Sequence, residues 1–237
     1  AWIETVTRLS YERLGLGIAD ELTLVGTGKL AERSWQTATV GDKRRLTGPD
    51  STKEVWHFEL DVDPAAVAFA PGDGLAILPR NRPELVAALC ERLGVGAGDV
   101  LAGQNESVGE ILSSRKELGK PGRRLLEYVA AATDSAELRA LLSYPDHRLV
   151  DALDALDGLD VLDLLDTDPE RAWDAAEVVG LLSTLQPRIY SIASSPADAA
   201  DRIALTVAVP RWERAGRARG GVCSAFLADR VAVGDRV

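Results

Sequence analysis

An arginine beside an exposed tyrosine at a strand edge can hold something flat and anionic, and Arg188-Ile189-Tyr190-Ser191-Ile192-Ala193-Ser194-Ser195 offers that pair. Strand alternation sends Arg188 and Tyr190 to one face and Ile189 to the other. The guanidinium fork fits phosphate oxygens, through charge-assisted hydrogen bonds of about 1.5–3 kcal/mol each. The tyrosine ring offers a face for stacking. Taken alone, the segment reads as an ordinary surface pair. A second segment changes the weighing. Gly220-Gly221-Val222-Cys223-Ser224 leads into a short helix over Ser224–Arg230. Glycine lets backbone approach a ligand closely, and free N–H groups at a helix start bind anions. Alone, this segment is a helix capped by Ser224. The two together, with the strand Ile203–Val209 between them, describe a site in which a pyrophosphate lies between the helix start and Arg188.

Other chemistries are excluded by composition and spacing. His57 and His147 are the only histidines, so no histidine-rich metal cluster is expected, and His57 is assigned a surface or structural role. Cys90 and Cys223 fit no metal or disulfide spacing, which suits a reducing cytoplasm, and Cys90 is expected to pack in a core. There is no Gly-x-Ser-x-Gly elbow and no phosphate loop of the Walker type. Asp151, Asp154, Asp157, Asp160, Asp163 and Asp166 recur every three residues. Helix caps and solvated faces are a better reading of them than a metal site. Arg211, Arg214, Arg217 and Arg219 form a basic loop that either steers an anion or is simply solvated. A net charge of -10 argues against a general nucleic-acid binder. No apolar run approaches the roughly 20 residues that span a membrane, and no signal peptide is visible.

The elements that must position these residues are legible in outline. In residues 1–33 a helix over Trp2–Leu16, a strand over Leu22–Val25 and a Gly26-Thr27-Gly28 turn are predicted. From Ser34 to Pro79 the pattern is strands. Trp56, Phe58, Leu60 and Val62 alternate with His57, Glu59 and Asp61, which predicts one buried face. Pro71-Gly72-Asp73-Gly74 is turn chemistry, followed by a strand over Leu75–Leu78. Residues 82–185 read as helical. Pro83 suits a first helical turn, Arg123–Ala132 and His147–Leu156 continue the spacing, Asp134 with Glu137 resembles a cap, and Asp168-Pro169 opens a helix reaching Leu185. Strands return at Pro187, where Ile203, Leu205, Val207 and Val209 alternate with Ala204, Thr206 and Ala208. This order predicts an α+β fold: an antiparallel barrel, residues 34–237, interrupted by an all-helical insertion over 82–185. The chain holds no methionine and starts at Ala1, so it is expected to be an excerpt of a longer protein.

Arg188-Ile-Tyr-Ser191 with the following Ile-Ala-Ser-Ser resembles the Arg-x-Tyr-Ser signature of ferredoxin-NADP reductase-type flavin domains. Thr206-Val207-Ala208-Val209 and Gly221-Val222-Cys223-Ser224 are similar to the two later FAD motifs, in order and spacing, and Ala225–Arg230 continues the likeness. Leu46-Thr47-Gly48, Val55–Leu60, Pro71-Gly72-Asp73 and Pro79-Arg80-Asn81 resemble the first barrel strands of diflavin reductases. That family includes the sulfite reductase flavoprotein alpha component and the NADPH-cytochrome reductases, and its connecting domain matches the helical insertion. The resemblance implies that Arg188 neutralises the FAD pyrophosphate and that Tyr190, with Ile189 beside it, stacks on the isoalloxazine. It places Ser191 near flavin N5 as the catalytic residue. It implies that Thr206, Val207 and Ala208 line the adenosine or ribityl side, and that Gly221, Val222, Cys223 and Ser224 hold the pyrophosphate. Trp212 stands where the family usually has tyrosine, keeping the aromatic surface but replacing the hydroxyl with an indole N–H. The family also implies an FMN-binding flavodoxin-like domain before this region, of which residues 1–33 would be a remnant or linker, and an NADPH-binding domain after it. Electrons would run from NADPH through FAD and FMN to an acceptor such as sulfite reductase haemoprotein. Two alternatives are a one-flavin ferredoxin-NADP reductase, against which the insertion argues, and a flavin-free docking scaffold, against which Arg188, Tyr190 and Ser191 argue.

Overall fold

The computed structural model describes residues 35–70, 72–154 and 158–237. The elements expected in residues 1–33 lie outside the described residues, as do Pro71 of the predicted turn and Asp157. The described elements all fall in one compact unit, Thr37–Val237.

Strands β1 (Thr39–Arg45) and β2 (Val55–Asp61) form a hairpin, and β5 (Arg202–Ala208) adds to its far edge, giving an antiparallel sheet in the order β1-β2-β5. Phe58 stands at its centre, opposite Lys43 on one side and Leu205 on the other. The period-two pattern buries Phe58 and Leu60 completely, together with Val40, Ile203, Leu205 and Val207. A bulge between Val40 and Asp42 turns β1, and at Gly41 the Asp61 carboxylate lies close over the backbone, 2.8 Å from where a Cβ would stand. A second pair, β3 (Gly74–Ile77) with β4 (Arg188–Ser191), is also antiparallel, matching Leu75 to Tyr190 and Ile77 to Arg188. An isolated bridge from Ile192 to Leu205 couples β4 to the first sheet, and another joins Thr39 to Arg236.

Between β3 and β4 the chain is helical. Helices α1 (Pro83–Arg92), α2 (Val108–Ser114), α3 (Arg123–Thr133), α4 (Ala136–Leu142), α5 (Asp146–Asp154), α6 (Val161–Leu165) and α7 (Ala175–Leu181) enclose their own leucine-rich core. Leu89, Leu112, Leu125, Leu126, Leu164 and Val178 are almost wholly buried in it, and Cys90 packs there too. Among the described residues no helix is long and apolar enough to cross a membrane. Asn81 ties this block to the sheets: its side chain donates to the carbonyls of Leu112 and Lys116 at 2.7 and 2.6 Å, and Arg230 donates to the Asn81 carbonyl at 2.7 Å. The fold is thus a mixture of helices and antiparallel sheets.

Several local expectations are corrected. The cap of α4 is Ser135, whose hydroxyl accepts from the Leu138 N–H, while Asp134 ends α3 in a left-handed conformation. No helix opens at Asp168-Pro169; α7 starts at the Asp174 cap. The segment is instead an irregular turn held by Arg92, which donates to the carbonyls of Leu165, Asp168 and Arg171 at 2.7–2.9 Å. The last helix, α8 (Val222–Ala225), begins two residues before Ser224 and runs into a π-helical turn, Phe226–Arg230. Ser224 does not cap it; its hydroxyl donates to the Gly221 carbonyl.

The arginine-rich segment is not a loop but a hairpin, β6 (Arg211–Arg214) and β7 (Arg217–Gly220), turned at Ala215 and Gly216 with positive φ at both. Arg211 docks it onto the sheet by a two-armed grip on Glu54, at 2.7 and 2.9 Å, and a second grip on Asp229. The Arg211 bonds, helped by the Trp56 indole N–H, hold the Glu54 carboxyl down to about 2 against its ordinary 4.5. A depressed folded pKa gives stability that is complete above the unfolded value and is lost as pH falls through the folded one. Glu54→Gln is therefore expected to be less stable than wild type above pH 5, by roughly 0.5–1 kcal/mol after solvent screening. The difference should fade between pH 4.5 and pH 2. Urea unfolding at a series of pH values checks this; a constant difference across that window would contradict it.

Candidate functional site

A cleft of about 320 Å³ opens between the sheets, the hairpin and the helical block, within the usual size range of ligand pockets. Arg188, Trp212, Gly221 and Val222 line it, so strand β4, the hairpin and the start of α8 converge as the two separate sequence segments require. Its charged lining is mostly basic. Arg82, Lys120, Arg188 and Arg219 face Glu117 and Asp160.

Arg188 is poised rather than loose. One arm donates to the Gln186 carbonyl at 2.7 Å and the other to Glu117 Oε2 at 2.8 Å. Glu117 is itself fixed, because its other oxygen accepts from the Gly119 N–H at 2.9 Å. Across the cleft, Gly221 is the N-cap residue of α8 and presents no side chain. The first backbone N–H groups of a helix have no intrahelical acceptor. A cationic fork and a glycine-lipped row of backbone donors on one cleft suit a diphosphate, so the residues present fit the FAD that the sequence implied.

The other expected residues are distributed differently. Tyr190 is half-buried beside Cys223, and its phenol is pushed up by burial and by that thiol. Ile189 and Ser191 are exposed. Thr206 and Ala208 are exposed on β5, whereas Val207 is fully buried between them in the sheet core. The Val207 side chain cannot touch a ligand, so any contact there has to come from backbone. Cys223 and Ser224 are buried at the start of α8, Cys223 near the Ile77 carbonyl.

Sequence reasoning missed two parts of this site. Glu117 is 71 residues from Arg188 and nothing local marks it. Asp160 and Asp163 were read as caps, and they do form a reciprocal capping box at the start of α6. Their remaining oxygens face inward, toward Arg217 and Arg219. Burial pushes the Asp160 carboxyl up. Burial pushes Asp163 the same way, but the Asp160 N–H, Arg217 and Arg219 overcome it and hold Asp163 below its ordinary value. Elsewhere, Asp42, His57 and Glu59 meet on the polar face of β1 and β2, with possible ligand atoms within 4.8 Å of one another. Arg44 and Arg202 already neutralise those carboxylates at 3.2 and 3.1 Å.

Comparison with known proteins identifies the family. The model of the FAD binding domain family matches residues 30–117 and 106–226, and the chain belongs to that family. Among individual proteins it is similar to sulfite reductase [NADPH] flavoprotein alpha-components. It is 31% identical to that of Aliivibrio fischeri over 213 residues, covering 89% of this chain and 34% of the relative. It is 35% identical to that of Klebsiella pneumoniae over 200 residues, covering 82% and 32%. It is 33% identical to that of Yersinia enterocolitica over 219 residues, covering 92% and 35%. The chain spans about a third of the length of these relatives.

Proposed function

We propose that this chain is the FAD-holding module of an NADPH-dependent diflavin reductase, which passes electrons from NADPH through FAD to FMN and on to a haemoprotein acceptor such as sulfite reductase. The observation that carries the reading is the convergence of Arg188 and the Gly221–Val222 helix start on one basic cleft. Arg188 and the backbone donors of Val222, Cys223 and Ser224 grip the diphosphate from opposite sides. Tyr190 offers its ring to the isoalloxazine, with Ile189 alongside. Ser191, exposed at the end of β4, would offer its hydroxyl to N5. Thr206, Val207 and Ala208 contribute β5 backbone along the adenosine or ribityl side, and Trp212 supplies an aromatic wall. FAD held there would supply a hydride acceptor that can also pass electrons on singly.

In this reading residues 34–237 form the flavin domain and 82–185 its connecting insertion. Strands β1–β5 belong to a ferredoxin-NADP reductase-type barrel, a reading supported by the Ile192–Leu205 bridge that links the β3-β4 pair to the β1-β2-β5 sheet. Residues 1–33 belong to a linker or to the end of an FMN-binding flavodoxin-like partner domain. The setting is the cytoplasm, in keeping with two buried, unpaired thiols.

The expected result is that the purified chain carries FAD, or takes it up after flavin removal, in preference to FMN. FMN has one phosphate and cannot engage both anion-binding devices. Denaturation followed by chromatography identifies the flavin released. A colourless preparation that FAD cannot reconstitute would overturn the reading.

A further inference from the structure

We propose that Asp160 and Asp163 act as positioning residues for the diphosphate side of the cleft, by clamping the β6–β7 hairpin to helix α6. The inference rests on the FAD reading above and adds a determinant of its FAD-over-FMN preference. Three arginines of the hairpin converge on these two carboxylates. Arg219 reaches Asp160 at 3.0 Å and Asp163 at 2.9 Å, Arg217 reaches Asp160 at 3.1 Å and also Asp163, and Arg214 lies 3.4 Å from Asp163. Strand alternation puts Arg217 and Arg219 on one face of β7, and Arg214 is the cross-strand partner of Arg217, so one face of the hairpin is devoted to the contact.

The cluster is desolvated. The side chains of Arg219, Asp160 and Asp163 are 5%, 3% and 9% exposed. Burying such charges is a poor way to gain stability, since desolvation offsets most of the attraction. Geometry is not fully satisfied either: Asp160 Oδ2 and Arg219 Nε have no hydrogen-bond partner. What the cluster does provide is register. The carboxylates are locked to the α6 backbone by their capping box, at 2.8 and 3.1 Å, and cannot drift. The hairpin they hold carries Trp212 and Gly220 into the cleft and hands the chain directly to Gly221. Trp212 is seated by the same arrangement. Its indole packs on Gly158, where φ is +71° and a Cβ would stand 3.0 Å from Nε1. Asp160 at the cleft wall and Asp163 behind it thereby fix the separation between the Gly221 backbone donors and Arg188.

Asp163→Asn keeps the shape and removes the charge that Arg217 and Arg219 share. The test is to titrate apo wild type and variant with FAD and, separately, with FMN. The clamp predicts an FAD affinity about tenfold lower with FMN affinity unchanged, so that the preference for FAD shrinks by the same factor. A contact that only supports the fold would weaken both flavins together, and that result, or no change in either, overturns the proposal. Should Asp163→Asn fail to fold, Arg217→Lys, which keeps a charge at a more exposed position, decides by the same ratio. Wild type that binds no FAD would instead bring down the FAD reading itself, so the two failures are distinguishable.

Discussion

Arg188→Ala is expected to weaken FAD binding by about ten- to a hundredfold, the loss of one charge-assisted phosphate contact worth roughly 1.5–3 kcal/mol. The structure places the effect toward the upper end. Arg188 is also the partner of Glu117, whose side chain is only 13% exposed. Removing the guanidinium would leave that carboxylate in the cleft without its counter-charge, and repulsion of an anionic ligand would add to the loss. Arg188→Lys is expected to fall between wild type and Arg188→Ala, because an ammonium keeps the charge but not the fork. Adding Glu117→Gln to Arg188→Ala should recover part of the affinity. Ser191→Ala, by contrast, should bind FAD as wild type does. Equilibrium titration of each flavin-free variant, followed by flavin fluorescence, measures all four. Equal affinity for wild type and Arg188→Ala would refute the assignment.

Phe58→Ala is expected to destabilise the flavin-free chain by about 3–5 kcal/mol, the usual cost of emptying a fully buried aromatic site. Phe58 is 0% exposed and stands at the middle of the central strand. Its ring stacks on Trp56 two residues earlier on the same strand, with centroids 6.4 Å apart, and lies in the core with Leu60, Leu205 and Leu227, so truncation leaves a cavity under the sheet that hydrogen-bonded strands cannot close. Domains of this kind have only about 5–15 kcal/mol of net stability. Urea unfolding of the two proteins measures the difference. A ligand that binds only the folded state adds about 2.7 kcal/mol at a hundred times its dissociation constant. FAD in excess should therefore rescue Phe58→Ala substantially. Arg188→Ala should show the opposite pattern, with near-normal stability when flavin-free and a much smaller gain from FAD. A Phe58→Ala protein as stable as wild type would contradict the core described above.

The parts of the fold that follow local rules were legible. The alternation through Trp56–Val62 and Ile203–Val209, the proline at the start of α1 and the succession of strands, helices and strands each need only neighbouring residues. Where long-range contacts competed with local signals, the sequence misled. Asp168-Pro169 has the look of a helix start, but the segment folds as a turn gathered around Arg92, far away in sequence. Asp134 was displaced as a cap by Ser135 because α3 ends on it in the left-handed region. The site shows the same division. Arg188 and Gly221 stand out by residue type, since a guanidinium and a glycine each carry their chemistry with them, and both line one cleft. Val207 is grouped with the ligand contacts by its place in a motif, and strand alternation, which buries its side chain, leaves its backbone for that role. Glu117 and the Asp160–Asp163 clamp were invisible for a physical reason: an aspartate at a helix start looks the same whether its outer oxygens meet water or a buried arginine.

The most direct measurement is a crystal structure of the chain grown with FAD. The account predicts diphosphate oxygens at about 2.7–3.2 Å from both the Arg188 guanidinium and the backbone N–H groups of Val222–Ser224, with the isoalloxazine against Tyr190. FAD bound elsewhere, with Arg188 engaged only by Glu117 and Gln186 and the start of α8 untouched, would contradict it.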